Sequence, residues 1–205
     1  MATPFVRWLK PRRGTQLQLE PLEERTVPSL LVPQSGGRRD MVYDDAKSIL
    51  YITTGAGGLI TRYNAATDSA LTAFTSPLAA QLNGADLTPD GKFLYVAEDS
   101  ISKVLKVNTT DGSTSEIAAS AGAGSNGAFD VSISSTGVGL ITSRRLGAAA
   151  GGVDLLQIDT SKDTITARND VPPVYQDSQL FRADNRSTIS VMEASPNNSI
   201  FSPSR

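Results

Sequence analysis

The 205-residue chain contains no cysteine and no histidine. Without cysteine there is no thiol nucleophile, disulfide, thiolate-bound zinc or covalently attached c-type haem. Without histidine there is no imidazole acid–base catalysis and no Ser–His–Asp triad. Catalysis would have to rest on Asp, Glu, Lys, Tyr or Ser, alone or with a hard cation. Glutamate is scarce as well: beyond residue 29 only Glu98, Glu116 and Glu193 occur. Aromatic residues make up 6% of the chain, and the single tryptophan is Trp8, which leaves little for a quinone cofactor to stack on. The formal charge of −2 provides no basic field, so nucleic acid is not an expected partner. No stretch approaches the roughly 20 apolar residues of a membrane span, so no transmembrane segment is expected. Absence of cysteine does not itself place the chain in the cytosol, since many exported bacterial proteins also lack it.

The first 29 residues differ from the rest. Arg7, Lys10, Arg12, Arg13 and Arg25 outnumber Glu20, Glu23 and Glu24, and Phe5-Val6 and Trp8-Leu9 are too short for the apolar core of a secretory signal. Composition alone reads as a basic, disordered leader. Residues 17–29 add a motif, with Leu17, Leu19, Glu20, Leu22, Glu23, Arg25, Pro28 and Ser29 at fixed spacing. It resembles the L-x-L-E-x-L-E-x-R-x-x-P-S sorting motif near the start of many predicted exported proteins of planctomycete bacteria. That resemblance implies an exported location, periplasmic or extracellular, and says nothing about activity.

The remainder is built on a repeat. Ala85–Thr88, a Pro89-Asp90-Gly91 turn and Phe93–Ala97 read as a β-hairpin: Pro presets φ at the bend, and Asp and Gly tolerate it. Leu50-Tyr51-Ile52 repeats Leu94-Tyr95-Val96 at a shift of 44, and Leu140-Ile141-Thr142 repeats Tyr95-Val96-Ala97 at 45. A fainter copy is Phe181-Arg182-Ala183-Asp184-Asn185 followed by Thr188–Met192, with Asp184-Asn185 in place of Asp90-Gly91. A second pair of strands recurs too. Ile60–Asn64, Leu105–Asn108 and Leu156–Asp159 each end in Asn or Asp and are followed by a polar turn and another short strand. Each unit is therefore four antiparallel strands in about 44 residues. One such sheet cannot bury both faces, whereas sheets stacked around an axis can. A β-sandwich is the competing all-β arrangement, but sandwiches do not ordinarily repeat one signature at fixed period.

The segment Thr88-Pro89-Asp90-Gly91-Lys92-Phe93-Leu94-Tyr95-Val96 resembles the P-D-G-x-x-L-Y-V-x hairpin of YVTN-type β-propeller repeats. Val104–Asn108 followed by Asp111-Gly112 resembles their next strand and turn. The resemblance spans about 39–193. It implies an all-β propeller of four-stranded antiparallel blades, at about 39–76, 84–119, 128–170 and an incomplete 178–205. Residues 1–29 form the leader and 30–205 the propeller. Two arrangements follow. In one, Leu30-Leu31-Val32-Pro33 completes the last blade and four blades close a small ring. In the other, the blades are an open fragment of a larger propeller, whose edges invite self-association.

Chemistry is sparse. Gly55-Ala56-Gly57-Gly58 is followed by a strand and not a helix, so it reads as a turn and not a phosphate loop. Ala121–Ser125 reads as a connection between blades, and Gly147–Gly152 as an insertion on one face. Asp86 and Asp130, at equivalent positions near the start of the innermost strands, are the candidate metal ligands; carboxylates repeated there could ring the channel mouth and hold Ca²⁺. Asp44 and Asp184 fall a few residues later in their units. Capping of turns and strand ends is the competing role. Arg144-Arg145, with Arg38-Arg39, could form an anion patch or a solvated loop. The expected function is a non-enzymatic exported module without cofactor, binding a protein or glycan of the cell envelope. The alternatives are a lactonase-like hydrolase with a divalent metal in the channel, and a truncated propeller with no function of its own.

Overall fold

The computed structural model describes residues 37–77, 81–99, 101–119, 127–144 and 152–193. The motif Leu17–Ser29, Leu30–Pro33, Ala121–Ser125 and Arg145 lie outside them. Strands β1 (Arg38–Asp44), β2 (Ile49–Thr54), β3 (Leu59–Asn64) and β4 (Ser69–Thr75) form one antiparallel sheet in sequence order. Strands β5 (Leu82–Leu87), β6 (Phe93–Glu98), β7 (Lys103–Asn108) and β8 (Thr114–Ala118) form a second. The third contains β9 (Gly127–Ile133) and β10 (Val138–Arg144), then a detour through the short β11 (Gly152–Val153), then β12 (Leu156–Asp159) and β13 (Thr164–Ala167). The short β14 (Val174–Tyr175) pairs with β11, and β15 (Gln179–Arg182) with β16 (Ile189–Met192) makes the last hairpin. The expected insertion thus ends in a strand at Gly152.

The inner hairpins share one device. Gly91 N–H donates to Thr88 O at 2.9 Å with φ of 65°, and Thr88 Oγ1 accepts the Phe93 N–H at 3.1 Å. In the last hairpin the same bond runs from Arg186 N–H to Ala183 O at 2.8 Å, with φ of 57° at Arg186. The left-handed position therefore falls on Arg186, one residue beyond the Asp184-Asn185 pair that sequence alignment equates with Asp90-Gly91. A non-glycine residue is disfavoured there, and the Arg186 side chain has contacts elsewhere that hold it.

The sheets stack through their innermost strands: β1 against β5, β5 against β9, β9 against β15. Strand alternation explains why the second repeat is the most apolar. Leu94 and Val96 bury toward the first sheet with Val42, Tyr51, Ile60 and Phe74. Tyr95 and Ala97 bury toward the third with Val131, Ile133, Ile141 and Leu156. Each such fully buried aliphatic side chain contributes about 1.5–3 kcal/mol. Val153, Leu155 and Val174 form a smaller cluster with Leu140 and Val191 beside the last hairpin.

This is a β-propeller array, and it is open. A closed four-sheet ring would bury the outward faces of the first and last sheets. Instead Met41 and Tyr43 on β1 are 61% and 48% exposed, and Phe181 and Met192 on the last hairpin 51% and 49%. No helix among the described residues is long and apolar enough to cross a membrane.

Candidate functional site

The four innermost strands line one groove of about 450 Å³. Its polar floor is made by three carboxylates, Asp40, Asp86 and Asp130. Each binds in the same way. One oxygen accepts the N–H of the next residue: Met41 for Asp40, Leu87 for Asp86 and Val131 for Asp130, all at 2.8 Å. The other reaches across to the inner strand of the following sheet. Asp40 accepts Ala85 N–H at 2.7 Å, Asp86 accepts Ile133 N–H at 2.8 Å, and Asp130 accepts Leu180 N–H at 2.7 Å. These are charge-assisted clasps between successive sheets.

Their place at the sheet edge creates the need for them. The pairing of β1 with β2 shifts between Arg38 and Met41, that of β5 with β6 between Leu82 and Ala85, and that of β9 with β10 beside Thr142 and Ser143. Each of β1, β5, β9 and β15 is also an edge strand of its sheet, so alternate backbone N–H groups have no ladder partner and require an acceptor. Hydroxyls add a second stitch where the repeat supplies one. Thr53 Oγ1 donates to Asn83 O and Thr142 Oγ1 to Ser178 O, both at 2.6 Å. Ala97, which the repeat aligns with Thr142, cannot do so.

Asp86 and Asp130, singled out by sequence, do meet in this groove, but they are not at equivalent positions. Asp86 stands opposite Tyr95 and Asp130 opposite Thr142. The second-sheet counterpart of Asp130 is Gly84, and a Cβ there would lie 1.9 Å from Asp130 Oδ1. Gly84 is the gap into which the Asp130 carboxylate fits.

Sequence reasoning missed Asp40, although it lies two repeat lengths upstream of Asp130. It also missed Arg182 and Arg186. Arg182 Nε donates to Asp86 Oδ2 at 2.8 Å, Arg186 Nη2 lies 3.6 Å from Asp86 Oδ1, and Arg186 Nη1 donates to Leu87 O. The other acidic candidates stand apart: Asp44 is buried and paired with Lys47, and Asp184 is exposed in its turn. Arg144 holds Asp99 and Asp177, so its guanidinium is already engaged.

The electrostatics follow from burial without counter-charge. Desolvation pushes the Asp130 carboxyl up to about 6, against the opposing backbone bonds and with help from the Asp40 and Asp86 charges. Desolvation also raises Asp40, opposed by its bonds to Ala85 and Met41 and reinforced by Asp86. Among the described residues no three acidic side chains converge to hold a metal ion. Arg39, at the groove's rim, lies over Gly55, and the rim also carries the exposed Tyr43, Gln179 and Phe181.

No protein-family model matches the chain. No curated protein matches it either. Solved structures do. One is hydrazine synthase of Kuenenia stuttgartiensis, with a TM-score of 0.58 at 17% identity, covering 80% of this chain and 44% of that one. Another is a 6-phosphogluconolactonase candidate from Bacteroides uniformis, with a TM-score of 0.55 at 16% identity, covering 79% and 48%. A weaker likeness, with a TM-score of 0.48 at 11% identity over 66% of this chain, is to the β-propeller domain of Cps50 (Swd1). The first two likenesses bear on fold alone, and this chain spans less than half the length of either structure.

Proposed function

We propose that this protein is a non-enzymatic, exported binding module whose central groove takes a polar ligand, a protein or a glycan of the cell envelope. The observation that carries the reading is the state of the groove's carboxylates. Asp40, Asp86 and Asp130 each accept two backbone N–H bonds, and Asp86 is further bonded by Arg182. Groups held in this way serve to join the sheets. A general base or metal ligand needs lone pairs open to substrate or ion. The rim, by contrast, presents Arg39 and Gln179 to solvent beside aromatic rings, a surface suited to hydrogen bonding and stacking. The YVTN-type resemblance and the N-terminal motif support a module of the cell envelope.

The test is calorimetric titration of the full chain with soluble fragments of envelope polysaccharide and with envelope proteins. The expected result is saturable binding that weakens in Arg39→Ala and Gln179→Ala. The competing reading is a lactonase-like hydrolase. Lactone hydrolysis that requires a divalent cation and disappears in Asp86→Asn and Asp130→Asn would replace the binding reading with that one.

A further inference from the structure

We propose that the groove's ligand is an acidic polysaccharide, its sugar rings lying on Tyr43 and Phe181 and a carboxylate group reaching Arg39. The inference rests on the reading of the groove as a binding site and names the chemical class that it takes. It starts from what the groove leaves for a ligand to use. Five large apolar side chains are exposed among the described residues, and three of them, Met41, Tyr43 and Phe181, line this groove. Exposed apolar surface is thus gathered at one concave place, the mark of an interaction site. Two of the three are aromatic. One face of a sugar ring carries C–H bonds and packs flat on an aromatic ring, while its hydroxyls project sideways to planar polar groups such as the exposed Gln179.

Charge is divided between floor and rim. Asp86 is neutralised by Arg182 and Arg186, whereas Asp40 and Asp130 are bonded to backbone N–H groups and have no counter-charge. A negative ligand group is repelled from that floor. Arg39 is the opposite case. It is exposed at the rim, its guanidinium lies over Gly55, where a Cβ would stand 2.5 Å from Nε, and no hydrogen bond or ion pair with a described residue occupies it. Burial and the Asp86 charge raise the Asp40 carboxyl, the bonds from Ala85 and Met41 lower it, and no positive charge acts on it, so Arg39 stands apart from the floor. A matching ligand carries its negative charge at the rim and an uncharged hydroxylated surface further in. The planar guanidinium takes a carboxylate through two parallel bonds. A chain of uronate sugars supplies both features.

A peptide is the competing occupant, and the clasps between sheets argue against it. Extended peptides join a sheet through the unpaired N–H and C=O groups of an edge strand. On β5 and β9 the alternate N–H groups of Ala85, Leu87, Val131 and Ile133 are already given to Asp40, Asp86 and Asp130. Recognition is left to side chains. The groove's volume of about 450 Å³ lies within the roughly 300–1,000 Å³ of small-ligand sites, so it admits a short run of sugar rings and not a folded surface.

Titration calorimetry of the full chain with short oligomers of galacturonate, mannuronate and glucuronate, and with their methyl esters, tests this. Esterification removes the charge and keeps the ring. At least one oligomer should bind saturably, and its ester about ten- to a hundredfold more weakly, the worth of a charge-assisted bond. In Arg39→Ala the acid and its ester should bind alike. Tyr43→Ala and Phe181→Ala should each weaken both forms by about three- to tenfold. All three side chains are exposed, so circular dichroism should show an unchanged fold. Binding of no uronate oligomer overturns the proposal, and so does an ester that binds the wild type as tightly as its acid. An envelope protein that binds where no uronate does, and loses affinity in Gln179→Ala, overturns it while the binding-module reading stands. Binding of neither class overturns both.

Discussion

Asp130→Asn separates the two opposing effects at the groove floor. The wild-type carboxyl has a pKa raised from 3.8 to about 6, chiefly by burial. A folded-state pKa above the unfolded one means that the folded chain binds the proton more tightly. Its stabilising contribution is fully present below about pH 3.8 and is lost as pH rises through about 6. At about 1.4 kcal/mol per unit of pH, the loss between those limits is roughly 3 kcal/mol. Asparagine removes the titration but keeps only one oxygen. The N–H of Val131 or of Leu180 then has no acceptor, at a cost of about 1–3 kcal/mol.

At pH 7 these two effects offset each other, and the variant should be about as stable as the wild type. At pH 4 only the lost bond remains, and the variant should be less stable by about 1–3 kcal/mol. Guanidinium unfolding of both proteins between pH 4 and pH 7.5 measures the difference, which cancels the titration of carboxylates that do not interact with Asp130. Parallel stability curves for the two proteins would refute the reasoning. They would mean that Asp130 ionises like a solvated carboxylate and that its clasp is not desolvated.

Three further substitutions address the joints between sheets. Gly84→Ala places a Cβ 1.9 Å from Asp130 Oδ1 and 2.7 Å from its Cα, so it should lower stability by roughly 1–3 kcal/mol in thermal unfolding. Tyr95→Phe removes the 2.6 Å bond from its hydroxyl to Asp163 Oδ1 while leaving Asp163 on Lys106; a loss of about 1–2 kcal/mol in denaturant unfolding is expected. Glu98→Gln keeps the 2.8 Å bond from Ser76 Oγ and removes a fully buried charge whose pKa burial pushes up. It should stabilise the protein at neutral pH, with the gain shrinking as pH falls and the wild-type carboxyl takes its proton.

The repeat was legible because its signals are local. Alternating apolar residues and the Thr88-Pro89-Asp90-Gly91 turn declare a hairpin within a dozen residues, and repetition at fixed spacing declares the stacked sheets. The fourth hairpin was legible for the same reason, and the position of its left-handed residue was not. Asp184-Asn185 carries the usual turn chemistry, but Arg186 takes φ of 57° because its guanidinium is held by Leu87 O and Asp86 across the groove. The groove's aspartates were half legible. Asp86 and Asp130 stood out as acids in inner strands, where a ring of carboxylates suggests a cation. Their real partners are backbone N–H groups of strands a full repeat away, and backbone donors leave no mark in a sequence. The clasp also moves along the strand, from Asp40 and Asp130 to Asp86, two residues beyond their counterpart Gly84. The one sequence trace of this shift is Gly84, a glycine inside a strand at the place where a neighbouring side chain must enter. An acid in the inner strand of a propeller sheet is therefore first an acceptor for the unpaired N–H groups of the edge strands that meet there. It becomes a metal ligand only where its oxygens are free of such bonds, and in Asp40, Asp86 and Asp130 one oxygen is engaged by the next residue of its own strand and the other by the following sheet.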